Sequence, residues 1–319
     1  MKGLYCDGSS VHLRGDLPAV SPREGEVVLR VRAVGVCDTD LQLARGYMGF
    51  RGVLGHEFVG EDDRGRRWTA EINNACGRCD TCLSGRRTHC PERTVLGILR
   101  HDGAMAEHVA VPRENLHPVP DDLDDRVAVF IEPLAAAFQI LEQVTVSPAQ
   151  RVAVLGDGKL GLLSAWVLRT TGASVTLVGR HPHKLALAGE RIATRTVDSL
   201  DALERGFDVV VDATGSPSGL QAALRLARPR ATLVLKTTVA AEYALSLSPV
   251  VIDELTIVGS RCGPFPRAIA ALAAGEVDVR PLVAKVYSLD DAEAAFRYAA
   301  TRGVAKVVID VSPRISSCP

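Results

Sequence analysis

The sequence predicts an α/β chain in two parts: a β-rich N-terminal domain and a doubly wound, mostly parallel sheet. Three observations predict it. Residues 1 to about 130 carry short β-like runs broken by glycine and charge. After Glu132-Pro133 the texture changes, and continuously apolar strands alternate with helical stretches. A glycine fingerprint stands at the first strand-to-helix turn of that alternation. Continuously apolar strands alternating with helices indicate a parallel sheet covered on both faces.

In the first part, Val27–Val36 and Glu107–Pro112 read as strands, and Asp62-Asp63-Arg64-Gly65-Arg66-Arg67 as a turn. In the second, Leu134–Val144 is helical. Arg151–Leu155 is a strand, Leu162–Thr171 a helix and Ser174–Val178 a strand. Lys184–Arg191 is helical, Phe207–Asp212 a strand and Leu220–Arg228 helical. Ala231–Leu235 and Leu255–Val258 are strands. The stretch Pro264–Val311 adds two helix-like segments and a last strand, Lys306–Val311, and Ser312–Pro319 reads as a loose end.

Composition limits the function classes. A chain of 319 residues, 47% hydrophobic and 24% charged, suggests about two globular domains. A net charge of -1 offers no basic excess for nucleic acid or an anionic membrane. Apolar runs fall short of a membrane span. Met1-Lys2-Gly3-Leu4-Tyr5 shows no apolar signal core, so a cytoplasmic location is expected.

The strand 151–155 runs into Gly156-Asp157-Gly158-Lys159-Leu160-Gly161 and then a helix. Alone this pattern is weak. At a strand-to-helix turn it reads as a dinucleotide loop of Rossmann type, with helix N–H groups facing a pyrophosphate. NAD sites usually place Asp or Glu at the end of the second strand. Here Val178-Gly179-Arg180-His181-Pro182-His183-Lys184 supplies no carboxylate. Gly179 leaves room, Arg180 is suited to a 2′-phosphate, and His181 and Lys184 stand ready to assist, so NADP is expected over NAD.

Cys76-x2-Cys79-x2-Cys82-x7-Cys90 is the most specific pattern. Four thiolates at short spacing enclose a tetrahedral metal with no open position, a structural zinc site. An iron–sulfur cluster can use similar spacing, and a disulfide knot is the reading for a secreted chain.

A second metal can be assembled from separate pieces: Cys37 in Gly35-Val36-Cys37-Asp38-Thr39-Asp40, His56 in Gly55-His56-Glu57, and Glu132. One thiolate, one imidazole and one carboxylate leave a zinc position open for a substrate oxygen. Zinc there would act as a Lewis acid that lowers an alcohol's pKa. Thr39 would relay the proton, and Asp40 would orient His56.

In order, these motifs resemble the zinc-dependent medium-chain dehydrogenase/reductase superfamily (the alcohol dehydrogenases), closest to its threonine/sorbitol-dehydrogenase-like branch. Asp102-Gly-Ala-Met-Ala-Glu107, Glu132-Pro-Leu134 and Asp208-Val-Val-Val-Asp-Ala-Thr-Gly215 extend the match over nearly the whole chain. The resemblance implies a GroES-like β-rich catalytic domain at 1–133, rejoined by 263–319. A Rossmann coenzyme domain spans 134–262. It implies a hydride exchanged between NAD(P) and an alcohol/carbonyl pair across the interdomain cleft. Cys37, His56 and Glu132 would ligate catalytic zinc, with Glu57 a carboxylate able to approach it. Thr39 would touch the substrate hydroxyl. Cys76, Cys79, Cys82 and Cys90 would hold structural zinc, giving two zinc ions per chain. Thr214 and Lys306 would lie at the cofactor, Lys306 near its phosphates. Relatives are dimers or tetramers, so a homodimer or homotetramer is expected.

The chain also departs from the family. Gln42 stands where many relatives have a proton-passing histidine. Asp38 and Asp157 are unexpected carboxylates near phosphates, and segment 59–75 is short. Tyr47, Met48, Phe50, Ile72 and Met105 would form either core or an apolar pocket wall suited to a medium or aromatic alcohol. Asn73, Asn74 and Gln42 are the polar candidates. Two other readings compete. A zinc-free quinone or enoyl reductase of the superfamily would lack the ligand set. A non-catalytic cofactor-binding protein would have no use for Thr39.

Overall fold

The computed structural model describes residues 1–196, 204–237 and 244–312. The tail from 313 on, with Cys318, lies outside the described residues. The chain divides into two compact units. The first comprises Met1–Glu132, Leu272–Ala274 and the chain from Asp278; the second comprises Pro133–Ala271 and Gly275–Val277.

The first unit is β-rich. In chain order it contains β1 (Gly3–Cys6), β2 (Val11–Arg14), β3 (Glu26–Gly35), α1 (Asp38–Leu43), β4 (Gly52–Val53), β5 (Glu57–Glu61) and β6 (Arg67–Ala70). There follow β7 (Asn73–Asn74), α2 (Asp80–Leu83), β8 (Thr94–Val95), β9 (His108–Pro112), β10 (Leu116–Pro118) and α3 (Asp125–Ala128). Strand β3 is its spine, pairing antiparallel with β5 and with β9. Leu29, Val31 and Ala33 point into the core at 0–2% exposure, while Arg30 and Arg32 alternate outward. The register sets Arg30 directly opposite Glu61. Arg32 donates to Glu61 (2.7 Å) and Asp125 (2.7 Å), and Arg67 donates to Asp125 (2.6 Å), which ties α3 onto β3 and β6.

The second unit begins within the first turn of α4 (Ile131–Gln143). It continues through β11 (Arg151–Leu155), α5 (Lys159–Arg169), β12 (Ser174–Gly179), α6 (Pro182–Leu185), β13 (Ala193–Thr196), β14 (Phe207–Asp212) and α7 (Pro217–Leu226). Next come β15 (Ala227–Leu235), α8 (Ser248–Ile252), β16 (Thr256–Gly259) and α9 (Phe265–Ala273). All six strands are parallel, in spatial order β13-β12-β11-β14-β15-β16. This is the 3-2-1-4-5-6 order of a Rossmann sheet, with its switch point between β11 and β14. Val152, Ala153, Val154 and Leu155 are at most 2% exposed, as a strand covered on both faces requires. The chain then returns to the first unit as β17 (Val283–Ser288), α10 (Ala292–Ala299) and β18 (Lys306–Asp310), with β18 pairing antiparallel to β3.

Three elements differ from the sequence reading. The helix expected at 184–191 shrinks to α6 and a 3-10 turn, ended by Gly189 at φ +78°. Helix α7 stops at Leu226, where Ala227 is already extended (ψ 134°) and opens β15, and Pro229 disfavours helical backbone at Arg228. Helix α9, expected in the returning segment, belongs to the second unit through Ala271. Gly263 packs so tightly that a Cβ there would lie 1.9 Å from the Ala135 carbonyl, and Arg267 covers the Phe138 ring at 4.7 Å.

Burial opposes the ionisation of Glu61, yet its hydrogen bonds from Arg32 and Arg30 hold its pKa below the usual carboxylate value. A depressed folded-state pKa contributes stability above the unfolded pKa and loses it as pH falls. Thermal melts should therefore lose midpoint as pH drops below about 4.5, the ordinary glutamate value. Arg32→Ala should cost about 1–3 kcal/mol at neutral pH and flatten that acid dependence.

Candidate active site and metal centres

Pairing between β3 and β5 places the first cluster. Gly35 lies opposite Glu57, so Cys37, just past β3, comes up beside His56, just before β5. Asp40, fully buried in α1, accepts the N–H of Cys37 (2.8 Å) and of Gly55 (3.2 Å), pinning both segments. Its Oδ1 also stands 3.4 Å from His56 Nδ1, an ion-pair separation, and that buried ring nitrogen has no hydrogen-bond partner among the described residues. The donor atoms of Cys37, His56 and Glu57 all lie within 4.8 Å of one another. Glu132, half-buried in the first turn of α4, stands outside this cluster. Thr39 is half-buried two residues beyond Cys37, and Gln42 is exposed.

The cluster is rich in negative charge. Burial disfavours a charged His56, but Asp40 and Cys37 outweigh it and hold the ring well above its usual pKa. Lys306 is 1% exposed and donates to Glu57 and to the Val36 carbonyl (3.4 Å), with its Nζ 5.5 Å from the centre of the Phe130 ring. Burial lowers its pKa, and Glu57 and Cys37 more than restore it. Expected at the cofactor phosphates, the ammonium is instead enclosed against Glu57. Gly35 makes room for this pair: a Cβ there would lie 2.6 Å from Glu57 Oε2. A thiolate, an imidazole and a carboxylate gathered beside a buried Asp form the donor chemistry of an open zinc site.

The second cluster is the cysteine loop. Sulfur atoms of Cys76, Cys79, Cys82 and Cys90 stand 3.5–3.9 Å apart in four of the pairs. Tetrahedral zinc–thiolate bonds of about 2.3 Å imply sulfur edges of about 3.8 Å. None of the described cysteines forms a disulfide. Burial pushes the Cys82 thiol up to about 12, while the N–H of Cys76 draws Cys90 down to about 7. Four cysteine sulfurs at this spacing are a donor set suited to one tetrahedral ion.

In the second unit the glycine loop fits a dinucleotide. At Gly156 (φ +111°) a Cβ would lie 2.6 Å from the Ala213 carbonyl, and at Gly161 one would lie 1.8 Å from the Gly156 carbonyl. Gly158 differs: its φ is -78° and a Cβ there would meet nothing. Neither packing nor backbone demands glycine at 158, the position where a Rossmann loop uses glycine to let its backbone approach a pyrophosphate. Gly158 N-caps the eleven-residue α5 without a side-chain cap, so the N–H groups of Lys159, Leu160 and Gly161 face the loop mouth. Thr214, at the end of β14, is exposed and donates to Asp212 (2.7 Å). Arg180 is exposed, and Lys184 is half-buried in α6.

The carboxylate that the sequence reading found missing at the end of β12 is present after all. Asp157 reaches across from the glycine loop and accepts the N–H groups of Arg180 and His181, each at 2.7 Å. Gly179 does leave room, but Asp157 fills it: a Cβ at 179 would lie 2.5 Å from the carboxylate.

The family model for the alcohol dehydrogenase GroES-like domain matches residues 23–121, and the zinc-binding dehydrogenase model matches 160–274. An L-threonine 3-dehydrogenase of Streptomyces coelicolor is 32% identical, over 97% of this chain and 99% of its own length. The chain belongs to the zinc-binding alcohol dehydrogenase family. Among solved structures, a protein of Sinorhizobium meliloti bound to NADP shares 30% identity at a TM-score of 0.86, covering 97% of this chain and 99% of its own. An Escherichia coli alcohol dehydrogenase complexed with NADH shares 25% identity at 0.87, covering 98% and 99%. The dehydrogenase is thus an oxidoreductase of the NAD(P)-linked, alcohol-oxidising type, and no helix among its described residues is long and apolar enough to cross a membrane.

Several residues of the dehydrogenase take roles the sequence did not announce. Phe50, Ile72 and Met105 are buried at 0–7% exposure, and Tyr47 and Met48 are exposed. Asn73 and Asn74 are held by Asn115, a structural tie. Lys236, 8% exposed, donates to the carbonyls of Ala136 (2.6 Å) and Arg261 (3.1 Å) and to Ser260 Oγ (3.1 Å) at the end of β15. Nothing in the sequence marked it beyond a lysine ending an apolar strand.

Cys79→Ser should release metal from the native protein and lower its thermal midpoint by about 5 °C or more. A colorimetric zinc assay beside a melting curve checks both.

Proposed function

We propose that the enzyme is an NADP-preferring dehydrogenase of a small alcohol/carbonyl substrate, with two zinc ions per chain. The gathering of Cys37, His56 and Glu57 within 4.8 Å carries the reading. Cys37 and His56 are the fixed donors of the catalytic ion. Glu57 and Glu132 are the carboxylates that share its remaining positions with substrate. Cys76, Cys79, Cys82 and Cys90 hold the structural ion, which stabilises its loop and takes no part in the chemistry.

Held by Cys37, His56 and a carboxylate, zinc would supply Lewis acidity to a substrate oxygen, and a nicotinamide dinucleotide held at the glycine loop would supply the hydride acceptor. The residues of the chain do the rest. Asp40 pairs with the His56 ring and accepts the N–H of Cys37. Lys306 balances the charge of Glu57. Thr39 takes the alcohol proton and passes it to water, since the exposed Gln42 has no titrating group to carry it further. Oxidation thus removes one hydride and one proton. The exposed Arg180 supports NADP through charge-assisted hydrogen bonds to a 2′-phosphate.

The reading extends to assembly and place. β16 is an edge strand, and Ile257 on it (37% exposed) lies near Val251 (76%) and Ile252 (78%) in the sequence. A second copy of this chain, pairing edge to edge, is the occupant such a surface suits. Unbridged thiolates at this spacing fit a reducing cytoplasm.

Cys37→Ser should reduce alcohol oxidation on the order of a thousandfold, halve the zinc content and leave the thermal midpoint nearly unchanged. Full turnover by this variant would end the proposal. Arg180→Ala should raise the Michaelis constant for NADP about tenfold more than that for NAD; equal effects would retire the NADP preference.

A further inference from the structure

The end of β12 carries two opposite charges for one ligand position. Arg180 is exposed and follows the last strand residue, Gly179. Asp157 comes from the preceding loop, and its carboxylate stands within 2.5 Å of where a side chain on Gly179 would begin. That is where a strand-end acid stands in a dinucleotide site that reads the ribose hydroxyls. The acid has been delivered from another turn of the chain, and the glycine at 179 is what admits it.

The carboxylate is held rigidly and still has capacity. Oδ2 accepts the N–H groups of Arg180 and His181, and His181 Nδ1 stands 3.0 Å from Oδ2 and 3.1 Å from Oδ1. A carboxylate offers about four acceptor sites, so these three donors leave one for an incoming hydroxyl. A tenth of the Asp157 side chain remains open to solvent. Burial opposes its ionisation, but the N–H and ring donors of His181 and the N–H of Arg180 keep its pKa below the usual value. It is therefore an anion at neutral pH, fit to accept a hydroxyl and to repel a phosphate.

We propose that Asp157 is the ribose-reading carboxylate of this enzyme, accepting the adenosine 2′-hydroxyl of NAD, while Arg180 takes the 2′-phosphate of NADP, so that one corner of the fold serves both dinucleotides. The inference rests on reading 151–180 as the dinucleotide site, and it makes the NADP preference a balance between two neighbours. Weakening either residue tips the balance to the other cofactor.

Fluorescence titration of the zinc-loaded protein with NADH, NADPH and 2′-deoxy-NADH (lacking the adenosine 2′-hydroxyl) tests it without turnover. Wild type should bind 2′-deoxy-NADH about tenfold more weakly than NADH, the loss of one hydrogen bond to a charged group. Asp157→Asn keeps an oxygen for the two backbone N–H groups. It should weaken NADH by about the same factor, bind NADPH at least as tightly as wild type, and bind NADH and its deoxy analogue alike. If Asp157→Asn weakens NADH and NADPH equally while still discriminating against the deoxy analogue, Asp157 is only a backbone clamp and the proposal falls. Where that variant fails to fold, the wild-type comparison decides alone, and equal binding of NADH and 2′-deoxy-NADH overturns it. Arg180→Ala separates the two readings: unchanged NADPH binding ends the NADP preference and leaves the deoxy result standing, and failure of all three nucleotides to bind ends the dinucleotide reading itself.

Discussion

Glu57 and Lys306 lie buried side by side, each about 1% exposed, and neither charge is tenable there without the other. Removing one partner of such a pair costs about 3–5 kcal/mol, because the remaining charge is left unsolvated. The two come from segments far apart in the sequence, joined by the pairing of β3 with β5 and with β18. The returning strand β18 is therefore part of the metal-donor cluster. Without it, Glu57 would be a buried carboxylate lacking the ammonium that pairs with it.

The two cysteine-bearing sites divide their work by how much of the coordination sphere the chain supplies. The loop at 76–90 offers four sulfurs at nearly tetrahedral spacing, so an ion there has no position left for substrate. The cluster at Cys37 offers three mixed donors and is braced from behind by Asp40, which holds Cys37, Gly55 and His56 together. Under the proposed function, such bracing would keep the donors in place while one of them gave way to substrate.

What the sequence made legible followed from local rules. Apolar runs gave β11, β12 and β14 to within a residue, because a strand buried on both faces has few polar choices, while helix α5 starts three residues before its apolar pattern, at Lys159. Cysteine spacing gave the closed cluster for a similar reason, since four thiols on one short loop must meet. What stayed hidden was set by partners far away in sequence. The family resemblance places Lys306 near the phosphates, and nothing near it in the chain names Glu57. Met105 and Ile72 read equally well as pocket or core, and packing against distant segments decided for core. The family resemblance puts both Glu132 and Glu57 at the metal; the three-donor cluster contains Glu57, whose backbone is fixed by the β3–β5 register.

Asp157 shows why a spacing rule can fail while its physics holds. The rule looks for an acid at the end of the second strand, on the assumption that the strand's own side chain must reach the ribose. The requirement is only that a carboxylate occupy that volume with its charge intact. A glycine at 179 empties the volume, a neighbouring turn fills it, and two backbone N–H groups hold the anion there. The same two N–H groups belong to Arg180 and His181, so the acid that favours one dinucleotide also fixes the backbone from which the base for the other projects. Selectivity at this corner then depends on the pair, and a substitution at either residue shifts the environment of both.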